Sequence, residues 1–169
     1  MVSTSHEGRL AALIPLACSG VLVPAFVRGR LKGLLPETLV IAALSSIVVP
    51  IAVSGGSEWA LAWLACGVWF VSFLLGTVAV HAIKAEHKPA TRSPWTNVAA
   101  PSLGLLTATA GAVITTVGQL PLKAALALVP AGVTTLIVTA VHVHPRQLKT
   151  VGWSLVASNM VTWLVLTAT

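Results

Sequence analysis

Two histidines and a small set of cations have the types and spacing to form a binding site. His81 lies three residues before Lys84, and His142 lies four before Arg146, with Lys149 and Trp153 following. At about 1.5 Å per helical residue, both imidazoles fall roughly 4 to 6 Å inside their helix ends, at matching depth. Lys84, Arg146, Lys149 and Trp153 then rim the same region, giving a basic mouth suited to an anionic ligand or a lipid headgroup. A plainer reading needs no ligand, because His is favoured near the negative end of a helix and Lys and Arg snorkel to a polar boundary. A bis-imidazole haem is the sharper version, but no aromatic or Gly-lined slot accompanies the pair. No cofactor and no metal are therefore assigned.

The rest of the inventory leans against an enzyme. All four acids are Glu (Glu7, Glu37, Glu58, Glu86), they are widely spaced, and Asp is absent. Magnesium-dependent transfer of diphosphate-activated substrates needs clustered carboxylates, which this chain cannot supply. The same absence argues against intramembrane aspartyl proteolysis and against an acid-based proton relay. GxSxG, HExxH and phosphate-cradling Gly loops do not occur, and no catalytic residue is named. Cys18 and Cys66 sit inside apolar runs without CxxC or zinc spacing, which predicts free thiols.

The elements that must position these residues follow from composition. Of the 169 residues, 56% are hydrophobic and only 8% charged, and the mean hydropathy is +0.93. A soluble domain carries about three times that share of charge. Continuous apolar runs, not alternating ones, predict an all-α fold: a polytopic transmembrane helical bundle embedded in the lipid bilayer. Six spans are expected, at 10–27, 34–53, 59–83, 98–119, 122–143 and 151–167, within a single domain 1–169. The net charge of +6 does not indicate nucleic acid, since the basic residues are scattered between the apolar runs.

Eight of the ten basic residues fall in every second loop: Arg28, Arg30 and Lys32; Lys84, Lys88 and Arg92; Arg146 and Lys149. Lys and Arg in short loops are retained on the cytoplasmic side, so these loops are expected inside and both termini outside. Pro36 with Glu37, and Ser57 with Glu58, carry the signals of helix starts. Trp59, Trp95 and Trp153 suit the membrane interface. Pro15, Pro24, Pro50 and Pro130 lie where they can kink helices.

In the fourth run Gly104, Gly111 and Gly118 recur every seven residues, with Ala108 on the same side. Such a face drifts only about 20° per heptad and is expected to pack closely against other helices. Asn159 lies on the order of 12 Å from the inner end of the last span. Its amide is expected to bond a hydroxyl such as Thr107, Thr115 or Thr135. Pro15 and Pro101, and Leu35-Pro36 and Leu120-Pro121, recur at offsets of 86 and 85 residues. That is a faint inverted repeat of the kind transporters use.

Two stretches, FLLGTVAVHAIKAEHK from Phe73 and HPRQLKTVGWSLVASN from His144, resemble the YwiC-like family of uncharacterised bacterial integral membrane proteins. The similarity covers most of the chain and matches the later part of longer members, which bears on whether the chain is a complete unit. The resemblance implies a multi-pass helical bundle in the bacterial cytoplasmic membrane and assigns no substrate or catalytic residue. The expected activity is non-enzymatic: a permease-like or accessory bundle binding a ligand or partner between helices. A partner chain or a homo-oligomer fits that reading, and a membrane-embedded cofactor protein or enzyme subunit is its alternative.

The charge pattern makes a direct prediction about topology. A reporter active only in the cytoplasm will be active when fused at Arg92 and silent when fused at Thr169, and the reverse result overturns the assignment.

Overall fold

The computed structural model describes residues 6–27, 29, 34–86, 102–103, 107, 122–141 and 143–167. No strand occurs among them. The helices are α1 (His6–Ala11), α2 (Leu13–Val27), α3 (Leu34–Ser46), α4 (Val48–Ser54), α5 (Trp59–Glu86), α6 (Leu122–Ala140) and α7 (Leu148–Thr167). A 3-10 turn at Pro145–Gln147 leads into α7.

Among the described residues, four stretches are long and apolar enough to cross a bilayer: His6–Pro24, Leu34–Ser54, Trp59–Ala85 and Leu148–Thr167. Leu126–Ala140 is a shorter apolar helix. The first, third and last helices extend beyond the expected 10–27, 59–83 and 151–167, because hydropathy marks the hydrocarbon limit whereas a helix runs on through polar residues such as Lys84 and Lys149. The fifth stops at Ala140 instead of 143, where Val141 closes a turn onto the Ile137 carbonyl at 3.0 Å. The expected fourth span, with Gly104, Ala108, Gly111 and Gly118, lies outside the described residues apart from Ser102, Leu103 and Thr107, which are helical. The same holds for Pro101, Leu120 and Pro121 of the faint repeat.

Proline sets two of the helix boundaries. A proline at position i has no N–H for the carbonyl at i−4, and its ring presses on that carbonyl. Four residues before Pro15 is Ala11, where α1 ends, and four before Pro50 is Ser46, where α3 ends. Each break is short. Ala12 N–H still reaches the Gly8 carbonyl at 3.1 Å, and Ile47 N–H turns back to Leu44 at 3.3 Å, while the Ser46 hydroxyl donates to Ala43 at 2.7 Å. Pro24 and Pro130 are instead carried inside α2 and α6.

The end of α4 is closed by a Schellman arrangement. Ser57 N–H bonds the Ala52 carbonyl and Gly56 N–H bonds Val53, both at 3.0 Å. Gly56 adopts φ +87°, a conformation L side chains rarely accept. The Glu58 carbonyl then accepts the Ala62 N–H at 3.0 Å and begins the next helix.

The chain forms two compact units, Met1–Phe70 and Val71–Thr169. In the first, α2 packs on α3 and α1 on α4, around a buried cluster of Ala11, Val49, Val53, Ala62 and Cys66. Many large apolar side chains of this unit face outward, with Leu16 69% and Phe26 71% exposed. That arrangement costs free energy in water and suits a helix bathed in lipid.

In the second unit α6 packs on α7. The Thr162 hydroxyl donates to the Ala127 carbonyl at 2.8 Å, and eleven residues along each chain Val138 packs with Val151. The two helices are therefore antiparallel. Pro130 leaves the Leu126 carbonyl without its helical donor, and the Thr162 hydroxyl bonds the next carbonyl along, that of Ala127, without replacing that donor. Gly76 of α5 lets Leu155 approach, since a Cβ there would stand 3.4 Å from both Leu155 methyl groups.

Two stability predictions follow from these contacts, both measurable by reversible unfolding in detergent. Thr162→Val should cost about 0.6 kcal/mol and at most about 1.7. Gly56→Val should cost about 1 to 2 kcal/mol for the left-handed backbone, whereas Gly20→Ala, in open space, should be neutral or slightly stabilising.

Candidate functional site

The second unit brings the C-terminal ends of α5 and α6 to the start of α7. Ile83, Val138 and Val151 are buried in one cluster, and Val80, Val143, Leu148 and Leu155 pack against it. The residues singled out from sequence alternate with these anchors. His81, half-buried, sits between Val80 and Ala82, and Lys84, exposed, follows Ile83. Arg146 lies between Val143 and Leu148, Lys149 between Leu148 and Val151, and both are exposed. Trp153, two residues past Val151, is 66% exposed. His142 lies outside the described residues. The apolar cluster thus fixes the backbone at one end of the unit, and the basic residues stand on the same helix ends.

Their electrostatics are unequal. Lys84 occupies the last turn of α5, where the negative helix end favours a cation. Lys149 occupies the first turn of α7, which contains no acid, so this cation stands against the positive helix end. The mismatch costs about 0.3 to 1 kcal/mol. With Arg146 three residues before Lys149, the entry to α7 is a concentrated positive region able to attract an anion. Among the described residues, no group of three or more His, Cys, Asp and Glu is placed to hold a metal ion.

One positioning residue escapes the sequence reading. His144 Nδ1 accepts the Arg146 N–H at 3.2 Å, and the Gln147 N–H bonds the His144 carbonyl at 2.8 Å. This pair caps the 3-10 turn and sets the backbone from which Arg146 projects. The His144-Pro145 step is the available signal, since a side-chain acceptor just before proline commonly opens a helical turn.

One of the three hydroxyls expected to meet Asn159 is excluded. The Thr135 hydroxyl is buried without a hydrogen-bond partner among the described residues, so an Asn159–Thr135 bond is not formed. The α6–α7 register explains it: with Thr162 on Ala127 and Val151 beside Val138, Thr135 falls opposite Ser154. Ser154 instead donates to its own helix at Val151, 2.8 Å away. Thr107 donates to Leu103 at 2.7 Å, and Thr115 lies outside the described residues. Among the described residues, the hydroxyl of Thr162 makes an interhelical bond, to the Ala127 carbonyl. Cys18, half-buried, and Cys66, buried, are free thiols.

Comparison of the chain with protein-family models, with curated proteins and with solved structures gives no match.

The unequal placement of the cations can be tested on stability alone. Lys149→Glu should raise unfolding free energy by about 0.3 to 1 kcal/mol and Lys84→Glu should lower it by a similar amount, as read in low-salt detergent unfolding.

Proposed function

We propose that this chain is a non-enzymatic, permease-like or accessory helical bundle that binds an anionic ligand or lipid headgroup at the basic end of α5 and α7. The observation that carries the reading is the Ile83, Val138 and Val151 cluster, which joins the helix ends bearing His81, Lys84, Arg146, Lys149 and Trp153. The placement of Lys149 supports it further. A cation kept against its own helix end is poorly explained by helix stability and well explained by an anion that offsets the repulsion.

On this reading the basic end faces the cytoplasm at the bacterial inner membrane, which the charge pattern of the loops and the resemblance to the YwiC-like family support. A chain this size works there alone, as a homo-oligomer, or beside a partner chain. His81, three residues before Lys84, supplies a hydrogen-bonding group beside the cations, and it is not needed as a metal ligand.

Native mass spectrometry of the purified protein tests the proposal with phosphatidylglycerol and phosphatidylcholine as probes. The triple variant Lys84→Gln, Arg146→Gln, Lys149→Gln should lose at least tenfold of its preference for phosphatidylglycerol, and His81→Ala with His142→Ala a smaller part. A triple variant that keeps the wild-type preference contradicts the proposal.

A further inference from the structure

Hydroxyls within these helices mostly satisfy themselves locally. Thr38, Ser46, Thr107, Thr139, Ser154 and Thr167 each donate to a carbonyl three or four residues back on their own helix. Thr162 reaches across to α6 instead. In the second unit three hydroxyls do neither: Ser72 of α5, Thr135 of α6 and Ser158 of α7 have no hydrogen-bond partner among the described residues, although none is more than 6% exposed. A hydroxyl left bare in an apolar interior is costly, and the local bond open to the others was not taken.

Helix register brings the three to one stretch of the seam. A Cβ on Gly76 would touch Leu155, and Ile83 packs with Val151, so α5 runs antiparallel to α7. Ser72, one turn before Gly76, therefore faces α7 one turn beyond Leu155, at Ser158. Thr135 stands level with Ser154, four residues or about 6 Å along the axis from Ser158. Two hydrogen bonds of about 2.8 Å through one small molecule span nearly that length. Leu75, three residues after Ser72 and also buried, flanks the row.

Two features define what the row can hold. Residues 72–80, 124–141 and 151–167 include no Asp, Glu, Lys, Arg or His, so an ion would give up its hydration without meeting a counter-charge. A hydroxyl both donates and accepts, which suits a small uncharged molecule able to do the same. The second feature is closure. The buried Ile83, Val138 and Val151 stand between the hydroxyls and the cations Lys84, Arg146 and Lys149, forming an apolar seal at that end.

We propose that the seam of α5, α6 and α7 contains an occluded site for small uncharged hydrogen-bonding molecules, water first among them, bridged by the hydroxyls of Ser72, Thr135 and Ser158. The site does not rest on the anion reading of the basic end, because no charged residue takes part in it. The lipid preference of the cations and the occupancy of the hydroxyls are separately measurable.

Radiolytic hydroxyl-radical labelling of the whole chain in detergent, mapped by peptide mass spectrometry, tests the site, because radicals made from a bound water mark the side chains around it. After correction for intrinsic side-chain reactivity, Leu75 should be labelled at least fivefold more than Ile83, Val138 and Val151. All four are buried, and the last three stand nearer the polar end, so water leaking in from that end would give the opposite order. The combined variant Ser72→Ala, Thr135→Val, Ser158→Ala should lose the excess at Leu75, and Thr135→Ser, which keeps the hydroxyl, should retain it. Leu75 labelled no more than the other three in the wild-type protein overturns the site, a result that needs no variant to fold. An excess that survives the loss of all three hydroxyls overturns their role in holding the molecule.

Discussion

In an apolar medium a backbone carbonyl without a donor has no water to turn to, and several kcal/mol are at stake for each one left bare. That constraint explains why the described residues are helical and why the exceptions are so brief. Where Pro15 and Pro50 remove a donor, the helix stops at the orphaned carbonyl and restarts within one residue. Where Pro130 removes one inside α6, a hydroxyl from α7 arrives at the neighbouring carbonyl. The Thr162–Ala127 bond then fixes the register of two antiparallel helices, and through it the meeting of Val138 with Val151. The location of the basic end thus depends on the register of α6 on α7.

The same constraint separates what was legible in the residues from what was not. Helical class and the presence of apolar runs were readable from continuity and composition, since a lipid-facing helix has no polar face to alternate with. The prolines were visible too, but their effect lies four residues upstream, which turns two expected spans into the pairs α1–α2 and α3–α4. Helix ends were misjudged where polar residues such as Lys149 continue a helix beyond its hydrocarbon-facing part.

The candidate site was legible in outline because depth along a helix is simple arithmetic: His81, Lys84, Arg146 and Lys149 lie close to helix ends in any reasonable assignment of the spans. Register was not legible. Nothing in the composition of α6 and α7 says that Thr162 bonds across to Ala127 while Thr135 bonds nothing among the described residues, since Leu-, Val- and Ala-rich surfaces slide past each other with little change in apolar contact. His144 was missed for a different reason, being a local cap whose signal is one residue and its proline neighbour.

The central structural claim is that the end of α5 meets the start of α7, so that their cations share one end of the unit. Cysteine cross-linking in native membranes tests it most directly. In a Cys18→Ser, Cys66→Ser background, Ile83→Cys paired with Val151→Cys should form an intramolecular disulfide on mild oxidation, while Ile83→Cys paired with Leu164→Cys should not. Failure of the first pair to cross-link, or cross-linking of both to the same extent, would contradict the account.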